Sequence, residues 1–271
     1  MVIFPNAKIN IGLQVTGKRA DGFHNIETIF YPIHLKDALE IIPSSKDSSM
    51  AFSTSGNRIQ GSTDDNLCLK AYQLLKKDFQ HLPNIQLHLH KVIPMGAGLG
   101  GGSADGAFTL QLLNQLFGLQ IPTAQLLEYA LTLGSDCPFF ILNEPCFATG
   151  RGEKLEPVTC NLSAYKILIV NPGIHINTRI AFEQLTLRTS HSNLREAIQS
   201  PVEDWRHAIK NDFESAVFNQ YPAIQYIAQQ LYAAGATFSS MSGTGSTVFG
   251  IFKKELSPVL SFPESYFQKW V

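Results

Sequence analysis

Charge is scarce in this chain: Asp, Glu, Lys and Arg make up 16% of its 271 residues, and the formal net charge is −1. There is no basic excess to give a nucleic acid or an anionic membrane a broad electrostatic footprint, so neither is expected as a partner. No run approaches the roughly 18 apolar residues of a membrane-spanning helix. The opening MVIFPNAKINIGLQV carries neither a basic leader nor a small-residue cleavage site behind an apolar core. A signal peptide is therefore not expected, and a cytoplasmic location is. Cysteine is sparse as well. Cys68, Cys137, Cys146 and Cys160 form no CxxC pair and have no histidine at finger spacing, which favours reduced structural thiols over metal or disulfide roles. Internal repeats and low-complexity segments are absent too.

What is present suits a globular enzyme-sized core. Apolar residues make up 44% of the chain, and the length fits one large domain or two moderate ones. Ala7, Ile9, Ile11, Leu13 and Val15 alternate with Lys8, Asn10, Gly12 and Gln14, which predicts a half-buried strand over 7–15. A turn at 17–22 leads to a second strand from about Phe23 to Tyr31, and residues 44–63, rich in Ser, Thr, Gly and Asp, read as a loop with room for a short strand. Asp64-Asp65-Asn66 can cap a helix running to about Phe79. Ile85, Leu87 and Leu89 alternate with Gln86, His88 and His90 in another strand; the two histidines could bind a metal, though an exposed polar face is the plainer reading. Helices are predicted over about 103–117, ended by Gly118, from a Thr123 cap to Gly134, and at 211–218 and 222–234. Strands are predicted at 166–170 and, around a Ser/Gly turn, within 237–252. The mixture reads as α+β, with a candidate boundary near Glu156-Pro157.

The strongest local signal is PMGAGLGGGSAD, residues 94–105, with five glycines in the seven positions 96–102. Such a stretch lets consecutive N–H groups point into one concavity, and the helix that follows adds its positive end. That is a seat for a polyphosphate. Gly96-x-Gly98-x-x-Gly101 also fits a dinucleotide fingerprint, but no acidic residue stands about 20 positions on, where LQIPTAQ occurs. The Walker loop fails for want of Gly-Lys-Ser/Thr, and the hydrolase elbow fails because Asp105 occupies the place of its last glycine.

The loop resembles the phosphate loop of the GHMP kinases. AKINIGLQVTGKRADGFHNIET, PMGAGLGGGSADGA, LGSDCPFF, GRGEKLEPV, NDFE, YPAIQYIAQQLYAAGA and MSGTGSTVFGIF are similar, in order, to motifs spread over nearly the whole length of one branch of that family. The resemblance implies a two-domain GHMP kinase fold: an N-terminal ribosomal-protein-S5-domain-2-like domain over 1–156, a C-terminal ferredoxin-like domain over 157–271, and the active site between them. It implies ATP and Mg²⁺ as cofactors. The implied reaction is phosphorylation of the 2-hydroxyl of a cytidine-diphosphate substrate, 4-diphosphocytidyl-2-C-methyl-D-erythritol, in non-mevalonate isoprenoid synthesis.

Residue by residue, it implies Lys8 and Asp136 as the catalytic pair. Pro94, Met95, Gly96, Ala97, Gly98, Leu99, Gly100, Gly101, Gly102, Ser103, Ala104 and Asn66 would bind the nucleotide, although helix capping is the plainer role of Asn66. Asn10, Phe23, His24, Thr178 and Phe182 would bind the cytidyl substrate, although Phe182 also reads as a helix-face core residue. The turn Ser242-Gly243-Thr244-Gly245-Ser246 would close over the site. Two positions depart from the family pattern. Phe23 stands where Tyr is usual, which keeps stacking and loses a hydroxyl. Ala104 stands where a second Ser is usual, which leaves Ser103 as the candidate Mg²⁺ ligand. An acceptor such as homoserine or mevalonate, a decarboxylase on the same fold, and a non-catalytic binding protein are the alternatives.

Overall fold

A computed structural model describes residues 1–44, 49–59, 61–185 and 192–271. In chain order the strands are β1 (Val2–Ile3), β2 (Asn6–Lys18), β3 (His24–Lys36), β4 (Ala38–Pro43), β5 (Ala51–Gly56), β6 (Ile85–Lys91), β7 (Cys146–Thr149), β8 (Lys154–Pro157), β9 (Tyr165–Asn171), β10 (Phe238–Met241), β11 (Val248–Lys253) and β12 (Phe267–Trp270). The α-helices are α1 (Leu67–Asp78), α2 (Gly101–Phe117), α3 (Thr123–Leu133), α4 (Cys137–Leu142), α5 (Thr178–Glu183), α6 (Leu194–Ala197), α7 (Trp205–Ala208), α8 (Glu214–Gln220) and α9 (Pro222–Ala233). The content is α+β. Among the described residues no helix is long and apolar enough to cross a membrane. The described part of the segment read as a loop contains β5, which runs parallel to β6.

Packing groups the chain into two compact units. The first comprises Met1–Ala7, His34–Met95 and Gly100–Asn143; the second comprises Lys8–Ile33, Gly96–Leu99 and Glu144–Val271. We propose the division at 156/157 as one of family domains, distinct from this grouping by packing.

In the first unit a sheet of order β1-β4-β6-β5 lies with a helical layer in which α1, α3 and α4 pack on α2. Helix α1 starts as the Asn66 cap predicts: Asn66 Oδ1 accepts the Cys68 N–H at 2.9 Å. Helix α3 differs from expectation, because Thr123 is its first residue and Pro122 holds the cap position. At the end of β6 lies a fully buried ion triad. Lys91 Nζ contacts Asp37 Oδ2 and donates to Asp105 Oδ2 at 2.7 Å. Asp37 Oδ1 accepts the Val92 and Ile93 N–H groups at 2.6 and 2.9 Å. The triad ties the chain entering the glycine loop to the first turns of α2.

Two carboxylates share one cation in that triad, and burial with the neighbouring Asp37 pushes the Asp105 pKa up to about 8, against the opposing pull of Lys91. The native chain then keeps a proton that the unfolded chain releases near the usual carboxylate pKa of about 4. Through this group stability falls as pH rises from the ordinary carboxylate range to about 8. Asp105→Asn keeps the shape and removes the titration, so its melting temperature should fall less steeply across that window than the wild type's. Parallel melting curves for the two proteins would show that Asp105 does not titrate there.

In the second unit β2 and β3 form a sheet with β7 and β8 in the order β2-β3-β7-β8. A second sheet has the order β10-β11-β9-β12, with α9 packed on β10 and β11. Leu13, Val15, Val170, Phe213, Ile224, Ile227 and Val248 lie in one buried cluster. Strand β2 corrects the expectation of a half-buried strand, since residues 6–15 are all buried. Its apolar face enters the core. Its polar face is buried because each polar side chain finds a partner: Lys8 on Asn10, Asn10 on Thr28 and Gln14 on Ser192. Period-two alternation here separates an apolar interior from a polar one.

Candidate active site

Lys8 is 4% exposed, which is unusual for a strand lysine. Its ammonium donates to Asn10 Oδ1 at 2.6 Å and to the Gly98 carbonyl at 3.3 Å. It also lies 4.9 Å from the centre of the Phe30 ring, on which a cation is favoured. Asn10 in turn donates to Thr28 Oγ1 at 3.0 Å, and Thr28 donates to the Gly12 carbonyl at 2.5 Å. Oxygens and an aromatic face thus hold the lysine.

The glycine loop contributes to both units along its length. Gly96–Leu99 belongs to the second unit, where the Leu99 carbonyl accepts the Lys8 N–H at 2.9 Å. Gly98 has φ +76°, and a Cβ built there would lie 2.1 Å from the Ser242 carbonyl oxygen. Only glycine fits that approach. Gly100–Ala104 belongs to the first unit. Gly100 caps α2 in a left-handed conformation, φ 70° and ψ 15°, and no side chain caps the helix. The amides of Gly101, Gly102 and Ser103 therefore form the positive end of a 17-residue helix. The Ala104 amide is committed to the Gly100 carbonyl at 2.9 Å, and Ala104 is fully buried. Pro94 and Met95 precede the loop, with Met95 exposed.

Asp136 is half-buried at the N-cap position of α4, and its side chain makes no capping hydrogen bond. That is a departure from the ordinary use of Asp at this place. The adjacent Cys137 is hydrogen bonded to Ser103, while burial pushes its thiol up to about 12. This contact brings the residue next to Asp136 against the first turn of α2. Lys8 and Asp136 fall in different units.

The residues expected at the cytidyl side all lie in the second unit. His24 stacks on Phe182 with ring centroids 4.8 Å apart and an interplanar angle of 17°. Phe182 packs edge-on against the buried Phe213, also at 4.8 Å. Its packing on Phe213 accords with the core reading of Phe182, and its contact with His24 places it beside another residue expected on the cytidyl side. Thr178 Oγ1 lies 3.2 Å from Thr244 Oγ1, which joins the start of α5 to the Ser/Gly turn. Phe23 is 54% exposed, and the Arg151 guanidinium lies 5.0 Å from its centre. Arg151 escaped the sequence reading, because only folding brings it to Phe23. His88 and His90 are hydrogen bonded to Ser53 and Ser55, and among the described residues no group of three His, Cys, Asp or Glu could hold a metal.

Comparison with known proteins identifies the family. The GHMP kinases N terminal domain matches residues 66–144, and the GHMP kinases C terminal domain matches residues 183–260. A Bacteroides fragilis protein named 4-diphosphocytidyl-2-C-methyl-D-erythritol kinase is 49% identical over 256 residues, covering 94% of this chain and 93% of its own length. A Cytophaga hutchinsonii protein of the same name is 47% identical, covering 93% and 92%. Among solved structures, a 4-(cytidine 5'-diphospho)-2C-methyl-D-erythritol kinase superposes with a TM-score of 0.79 at 29% identity, covering 93% of this chain and 90% of that one. The homoserine kinase of Cytophaga hutchinsonii shares the fold, with a TM-score of 0.70 at 16% identity and coverage of 93% and 86%. With both family domains matched in order and relatives near half identity over almost the whole length, this chain belongs to the GHMP kinases.

Proposed function

We propose that the protein transfers the γ-phosphoryl group of ATP to the 2-hydroxyl of 4-diphosphocytidyl-2-C-methyl-D-erythritol. The observation that carries this choice of acceptor is the ring cluster of His24 on Phe182, with the exposed Phe23, in the unit that also holds Lys8. A pyrimidine offers a flat face and a hydrogen-bonding edge, and these side chains supply aromatic surface and an imidazole. A relative 49% identical over 94% of this chain is named for that reaction.

The geometry supports the roles that the resemblance implies. The uncapped start of α2 receives ATP phosphates on its amides. Asn66 uses Oδ1 as a helix cap, so its contact with the nucleotide runs through its amide nitrogen. Asp136 accepts the proton of the acceptor hydroxyl, and Lys8 stabilises the oxygen as charge develops on it. Mg²⁺ would offset the negative charge of the phosphates. The first turn of α2 fits it sparingly: Ser103 supplies one hydroxyl, and Asp105 is committed to Lys91. The protein would thus offer the ion Ser103 at most, and Mg²⁺ tolerates a site with few protein ligands.

ADP release tests the reading directly. Turnover is expected with the cytidyl substrate and lost on chelation of Mg²⁺. Turnover with homoserine or mevalonate in its place would move the protein to another branch of the family. Phe23→Ala tests the pyrimidine side. Since Phe23 is 54% exposed, its truncation costs little stability. Losing one base-stacking contact should raise KM for the cytidyl substrate about 5- to 150-fold and leave KM for ATP unchanged. A change confined to the ATP constant would mean that Phe23 lies on the nucleotide side.

A further inference from the structure

The segment Asn211-Asp212-Phe213-Glu214 has no part in the reaction proposed above, yet its polar side chains each grip backbone elsewhere in the second unit. Asn211 is 1% exposed, and its Nδ2 donates to the Met241 and Gly243 carbonyls, both at 2.8 Å. Its Oδ1 accepts the Phe213 N–H at 3.0 Å. Asp212 Oδ2 accepts the Val15 N–H at 2.8 Å, on the strand that carries Lys8. Glu214 Oε1 accepts from Ser240 Oγ at 2.7 Å and from the Met241 N–H at 2.8 Å. The backbone on either side of Ser242 is thereby fixed.

Ser242 is fully buried. Its hydroxyl donates to the Gly98 carbonyl at 2.8 Å and accepts the Asn10 N–H at 3.1 Å. It also lies 3.4 Å from Asn10 Oδ1. The Gly98 carbonyl and Asn10 Oδ1 are the same two oxygens that receive the Lys8 ammonium. A lysine is a point charge on a flexible stem, and its value to a developing oxyanion depends on where its acceptors hold it.

We propose that Ser242, held in place by Asn211, is a positioning residue for Lys8: it fixes the two oxygens that aim the ammonium. The proposal rests on the reading of Lys8 as the cation that stabilises the reacting oxygen. A defect in aim weakens the transition state and leaves substrate binding intact, so it shows in kcat.

The test is a double-mutant cycle on the purified enzyme with ATP and the cytidyl substrate. Ser242→Ala should lower kcat about tenfold, the upper range for one neutral hydrogen bond, with both KM values within about twofold. In a Lys8→Ala background the same change should cost nothing further, because Ser242 acts only through Lys8. Ser242→Cys, a weaker donor, should recover part of the loss. Asn211→Asp, which turns a carboxylate toward two carbonyls, should reproduce the loss of kcat. An equal tenfold loss in the Lys8→Ala background would overturn the proposal, as would a loss carried by the KM for ATP. Lys8→Ala with full kcat would remove the reading of Lys8 as well, whereas a Lys8 defect that simply multiplies with Ser242→Ala would remove only the positioning role. If Ser242→Ala is insoluble, Ser242→Cys in the two backgrounds answers the same question.

Discussion

Asp136→Asn is expected to lose at least about a hundredfold in kcat while binding both substrates normally, since a positioned base is worth about 10²–10⁴ in rate. The substitution keeps the shape of a side chain that makes no capping bond to α4, so the helix should survive it. Lys8→Ala should lose a comparable factor. It should also lower stability, because the buried Asn10 Oδ1 and Gly98 carbonyl lose a charged donor. The double variant should lose much less than the product of the two factors, because a base without its cation and a cation without its base are each largely disabled. Single-turnover rates with saturating ATP separate these effects from product release. An Asp136→Asn enzyme with near-normal kcat would leave positioning and Lys8 as the whole mechanism.

Gly98→Ala should be the most damaging single-methyl change in the glycine loop. A left-handed φ costs a non-glycine residue about 1–2 kcal/mol. The new Cβ would also lie 2.1 Å from the Ser242 carbonyl oxygen, and backbone cannot rotate away as a side chain can. The loop must move, and with it the carbonyl that both Lys8 and Ser242 use. We expect the melting temperature to fall by more than about 4 °C, the scale set by 1–2 kcal/mol in a chain of this size. We expect kcat/KM to fall at least about a hundredfold, in kcat and in the KM for ATP together. Thermal melts and steady-state kinetics within twofold of wild type would show that the loop tolerates another path.

Much of this was legible from local patterns. The Asn66 cap, the Gly118 stop, the strand over 165–171 and the strand-turn-strand near the end all fall where propensity and punctuation put them. Local chemistry also marks the glycine loop, because a run of glycines before a helix has few other uses. The burial of both faces of β2 was not legible. Alternation of Lys8, Asn10 and Gln14 with apolar residues looks the same whether the polar side chains meet water or Thr28 and Ser192. The grip of Asn211 on the turn at 241–243 was hidden for a related reason: no local signal couples residues about 30 positions apart. Short elements such as α4 and β7 also escaped, being too brief for a period to show.

The interleaving of the two compact units bears on how the chain is made. Synthesis runs from the N-terminal side, and the first unit has all its pieces once Asn143 has emerged. The second unit begins with Lys8–Ile33 and must wait for Glu144–Val271. During that interval the apolar face of β2, Ile9, Ile11, Leu13 and Val15, is already made while β9, β10 and β11 are not. A newly formed strand held that long without its core is a template for misassociation, and the nascent chain has reason to be shielded by chaperones until its last third leaves the ribosome.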